Sequence, residues 1–139
     1  GVTKAMDKIE LTYDEVVVNA KKAYEEGRLG FQNGMSNCFY SYSLADKSEN
    51  DKRIGCAIGV SFLDDPERMA IIRGDDDYVS TYNSFSLADL ICSEVVSFPT
   101  DLEEADACAL QEVHDTLCDT YCSNTCRNEK HFRSLIGVS

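Results

Sequence analysis

Apolar residues first recur at helical intervals at Tyr13, Val16, Val17, Ala20 and Tyr24, the three-and-four spacing that lines one face of an α-helix. Thr12 precedes the stretch and Glu15 follows three residues later. In that arrangement the threonine hydroxyl accepts a backbone N–H and the glutamate returns a bond. Gly27 supplies the stop. The pattern predicts a first helix from Tyr13 toward Gly27. Leu29 to Met35 contains Gly30 and Gly34 and reads as a turn. Phe39, Tyr40 and Tyr42 favour extended backbone, and the polar run Lys47 to Lys52 reads as a turn. A hairpin pairing residues 38–43 with residues 53–57 is compatible with this order. The apolar run Ala57 to Leu63 has no period that assigns it.

Asp65-Pro66 starts a short helix, because proline at the first helical position gives up an N–H that has no partner there. Met69 and Ile72 face inward on it, and Gly74 ends it. Ser86 and Asp89 repeat the capping spacing, with Phe85 and Leu90 as the flanking apolar pair. That helix is expected to reach about Val96, burying Leu87, Leu90, Ile91 and Val95, before Phe98-Pro99 breaks it. Thr100 and Glu103 open a longer helix whose acidic first turn suits the helix dipole. Its predicted buried stripe is Leu102, Ala109, Leu110, Val113 and Leu117. Ser123-Asn124 weakens it, and a last short helical piece follows around His131 to Ile136. The pattern therefore predicts a mainly α protein: one small helical domain over residues 9–139, with room for a short β-hairpin in its first half. Residues 1–8 carry no pattern and read as a flexible N-terminus or an appended remnant.

Charge narrows the range of partners. The 139 residues carry a formal net charge of -12, with 25 acidic residues against 13 lysines and arginines. Between Asp64 and Asp106 stand twelve acidic residues and only Arg68 and Arg73, a net of -10 in that stretch. Such a field repels phosphate backbones and anionic membrane surfaces. Direct nucleic-acid binding is not expected, and a basic protein partner is the complementary reading. No apolar run approaches the roughly 18 residues of a spanning helix, and no basic-then-apolar leader is visible. An odd cysteine count does not suit a fully paired secreted framework. Reduced cysteines and a cytoplasmic location, in a host or producing cell, are the expectation.

Seven cysteines are the remaining source of chemistry. His114, Cys118, Cys122 and Cys126 are spaced four apart. On an unbroken helix each step turns about 40° and rises about 6 Å, so adjacent pairs could grip one zinc ion and all four could not. Zinc asks for about four converging ligands, with a short Cys-x₂₋₄-Cys pair among them. These four residues are the metal candidates, and zinc is the one cofactor the chain suggests. The plainer reading is that cysteines pack as small hydrophobes. On the same footing His114 is a structural histidine at the edge of the Leu110–Val113–Leu117 stripe, with Asp115 too close in sequence to face it. Cys56, set among Gly55, Ala57, Ile58 and Gly59, is the candidate nucleophile. At a helix start its thiolate would be stabilised by free backbone N–H groups, and His114 would be its base. Asp75-Asp76-Asp77 lacks the alternating pattern and terminal glutamate of a calcium loop, and no glycine cluster forms a phosphate loop.

Cys38-Phe39-Tyr40 with Tyr42, then Cys56-Ala57-Ile58-Gly59, then Leu110-Gln111-Glu112-Val113-His114-Asp115 resemble a loose group of small phage and bacterial proteins of unknown function. The resemblance spans Leu29 to Asp115 and does not extend to the cysteine-rich tail. It implies a small accessory protein without an established activity, and its marks fall on Cys38, Cys56, His114 and Asp115. Three functions follow as expectations: an acidic protein-interaction module without turnover, a zinc-stabilised binding module, and a thiol hydrolase or transferase using Cys56 and His114.

Overall fold

A computed structural model describes residues 8–33, 54–73, 86–118 and 125–138, with backbone alone for Arg73 and residues 125–128. Its elements are β1 (Ile9–Glu10), α1 (Tyr13–Glu25), a 3₁₀ turn (Gly30–Asn33), α2 (Val60–Leu63), α3 (Pro66–Arg73), α4 (Leu87–Cys92), β2 (Val96–Ser97), α5 (Asp101–Cys118) and α6 (Thr125–Leu135). The described chain is mainly helical. Its one strand pair is parallel, with Ile9 opposite Val96 and Glu10 opposite Ser97. The segment proposed for a hairpin lies mostly outside the described residues. So do Cys38, Gly74, the Asp75 triplet and Phe85.

The helix starts follow the sequence closely. The Thr12 hydroxyl accepts the Glu15 N–H at 3.1 Å, Ser86 accepts that of Asp89 at 3.0 Å, and Thr100 accepts that of Glu103 at 3.1 Å. Each such cap contributes about 1 kcal/mol. At α3 the Asp65 carboxylate accepts from the amides of both Glu67 and Arg68. The reciprocal half of the first box is redirected. Glu15 turns to Arg68, 2.6 Å away, joining α1 to α3. Across the molecule Glu103 caps its own helix through Thr100 while accepting the Tyr13 N–H at 2.9 Å. One carboxylate thus sits at the positive ends of α1 and α5, where the helix dipoles favour it.

Three helices end in the same six-residue closure. After α1, the Arg28 N–H returns to Ala23 and that of Gly27 to Tyr24, with Gly27 at φ +70°. After α6, Val138 returns to Arg133 and Gly137 to Ser134, with Gly137 at φ +80°. After α4, Val95 returns to Leu90 and Glu94 to Ile91, but the left-handed residue is Glu94 at φ 62°. Here the structure corrects the expectation that this helix reaches Val96: it ends at Cys92. The left-handed turn redirects Val95 toward β2 and Val96 into it, and both are still buried.

Buried apolar side chains form one cluster that draws on every helix and both strands. α5 packs against α6, α1, α4 and the 3₁₀ turn. Its buried face is Ala107, Leu110, Gln111, His114, Leu117 and Cys118, which corrects the predicted stripe. Leu102 is 71% exposed and Ala109 is also outside, while Leu110, Val113 and Leu117 do pack inward. The rotation arises because Gln111 and His114 occupy core positions that an apolar count assigns to the surface. α6 is also longer than the expected piece near His131, beginning at Thr125. Among the described residues no helix is long and apolar enough to cross a membrane.

Candidate functional site

Cys56 lies where the first half of the chain is stitched to the closure of α1. Gly55 donates to the Arg28 carbonyl at 3.1 Å and accepts from Gly30 at 3.0 Å, forming a parallel bridge between Leu29 and Gly55. The chain then turns through Ala57, Ile58 and Gly59 into α2. The Gly59 N–H donates to Cys56 Sγ at 3.3 Å, and the Val60 N–H donates to the Cys56 carbonyl at 3.1 Å. The sulfur therefore accepts within the turn that leads into α2, whose N-cap is Gly59 and which has no side-chain cap. Its environment works against ionisation all the same. Cys56 is 1% exposed, and burial, reinforced by the negative charge of Asp115, pushes its thiol up to about 12. Hydrogen bonds from Gly59, Gln111 and Ile58 oppose the shift without cancelling it. At neutral pH this group is a protonated, sealed thiol, whereas a nucleophile must be a thiolate.

His114 is fully buried near the C-terminal end of α5. The structure corrects the view that Asp115 is too close in sequence to reach it: Asp115 Oδ1 lies 3.2 Å from His114 Nδ1. The carboxylate sits on the outer side of the helix, half-buried, and bends back along the surface to the ring. The same Oδ1 accepts from Gln111 Nε2 at 2.9 Å, and Gln111 Oε1 accepts the Ile58 N–H at 3.0 Å. Gln111 thus ties the Cys56 turn to the His114 pair, with both ends of its amide used. A carboxylate only accepts hydrogen bonds, so Nδ1 is the donor in this pair. Nε2 is buried and has no hydrogen-bond partner among the described residues. Around the imidazole stand Phe31, with ring centres 5.6 Å apart, and Phe132, at 6.2 Å. These two rings also meet each other edge to face, so α5, α6 and the 3₁₀ turn converge on His114. An orphan buried nitrogen costs about 1–3 kcal/mol, which the surrounding core must offset.

Cys118, one turn further on, is buried as well, with Sγ 3.8 Å from His114 Nδ1. Cys118 thus lies beside the imidazole, while Cys56 is tied to Gln111. Cys92 is exposed and Cys108 half-buried. The Cys108 thiol is raised by burial and by Glu104 and Glu112 beside it. Cys122 lies outside the described residues, as does the side chain of Cys126, so the proposed four-residue metal set is placed only at His114 and Cys118. Among the described residues no three histidine, cysteine or carboxylate side chains form a group that could hold a metal ion. Gln111 is the residue that sequence reasoning overlooked. Its signal was available in Leu110-Gln111-Glu112-Val113-His114-Asp115: Gln111, His114 and Cys118 are spaced three and four apart, the register of one helix face.

Outside the core the picture is acidic. Asp64, Glu67, Asp89, Glu94, Asp101 and Asp106 are all exposed. Arg68 is held by Glu15 and Asp65, and Arg28 by Glu26 and Asp64. In comparisons with known proteins, no protein-family model, curated protein or solved structure matches this chain.

Proposed function

We propose that this chain is a small acidic accessory protein that acts in the cytoplasm of a host or producing cell by engaging a basic protein partner, without catalytic turnover. One observation carries the reading: the candidate catalytic pair, Cys56 and His114, is sealed in the core, while Asp64, Glu67, Asp89, Glu94, Asp101 and Asp106 face outward. The resemblance to small phage and bacterial proteins agrees with an accessory role. Neutral-pH thiol catalysis would demand that a buried thiol, pushed up to about 12, give up its proton and meet a substrate. The test is calorimetric titration of the full chain with a lysine-rich peptide across a range of salt concentrations. Saturable binding that weakens as salt rises, and falls several-fold further in an Asp89→Asn, Asp101→Asn, Asp106→Asn variant, is the expected result. Absence of binding at low salt, or binding indifferent to both changes, would overturn it.

A zinc-stabilised binding module is the second reading, supported by the His114–Cys118 pair. Bond lengths of about 2.0 Å to nitrogen and 2.3 Å to sulfur place two tetrahedral ligands about 3.6 Å apart, close to the 3.8 Å between Nδ1 and Sγ, and zinc there would require Nδ1 to give up its proton and its bond to Asp115, with the ring proton moving to Nε2. Cys122 and Cys126 would have to complete the set. This reading expects one zinc per chain after purification, unfolding on chelation, and loss of the metal in Cys118→Ser. A metal-free sample that folds normally and takes up no added zinc would sink it.

A further inference from the structure

We draw no further inference here: the strongest candidate, the buried His114–Asp115–Cys118 cluster on α5 with its unpartnered imidazole Nε2, belongs to the site already described, and among the described residues no group of three side chains that could hold a metal ion is formed around it.

Discussion

Gln111→Met is the most direct probe of how the two halves of the buried site are joined. Methionine keeps nearly the length and volume of glutamine but offers no strong acceptor to the Ile58 N–H and no donor to Asp115. Ile58 is fully buried, so its amide, now held at 3.0 Å by Gln111 Oε1, would keep only the weak sulfur of Cys56 as acceptor, at a cost within about 1–3 kcal/mol. Asp115 is exposed over 32% of its side chain, and water can replace the lost 2.9 Å bond there at little cost. Relief from burying the amide of Gln111 recovers part of the loss, and the expected net is about 1–2 kcal/mol of destabilisation. With a urea slope of about 1–3 kcal/mol per molar, the midpoint should fall by about 0.3–2 M. Amide exchange adds a local reading, since protection at Ile58 should drop more than protection at Leu110. A cycle with Asp115→Asn should show coupling of at least about 0.5 kcal/mol, as expected for groups in one network. If Gln111→Met costs less than about 0.5 kcal/mol and leaves Ile58 protected, Gln111 is not the bridge between the Cys56 turn and α5.

Two further outcomes test the core and the turns. Cys56 is raised from an ordinary value of 9.0 to about 12, so the folded state keeps a proton that the unfolded chain releases. The stability from this group is complete below about pH 9 and is lost as pH rises toward 12, at about 1.4 kcal/mol per pH unit. Urea unfolding of wild type and Cys56→Ala between pH 8 and 11 should therefore show the steeper alkaline loss in wild type, and parallel curves would refute the sealed thiol. At Glu94, a left-handed non-glycine residue costs about 1–2 kcal/mol, so Glu94→Gly should gain about 0.5–1 kcal/mol in thermal unfolding. Gly27→Ala should lose about 1 kcal/mol although nothing lies within 4 Å of the added Cβ. Equal stability of Glu94→Gly and Glu94→Ala would show that the backbone turn is unstrained.

The helix starts were legible in the sequence because a cap is local: Thr12, Ser86 and Thr100 each act on an amide three residues away. Asp65-Pro66 worked for the same reason. The end of α4 was not legible, since a glutamate occupies the left-handed position that glycine holds after α1 and α6. The face of α5 was half legible. Leu110 and Leu117 were assigned inward correctly, but Gln111 and His114 count as polar until Ile58 and Asp115 are seen to take up their hydrogen bonds.

By itself the sequence determined a mainly helical chain, its capped starting points, its acid-rich middle and a short set of thiol and imidazole candidates. Each of these is set by residue type or by spacings within one helical turn. Tertiary structure alone decided the pairing of Ile9 with Val96, the placing of Tyr13 on Glu103 and the meeting of Gln111 with Ile58. These contacts join residues 53 to 90 positions apart, and no local period encodes them. The same packing decided the state of the candidate groups. It buried Cys56 and set Cys118 beside His114, because burial and charged neighbours, more than residue type, set what a thiol or an imidazole can do.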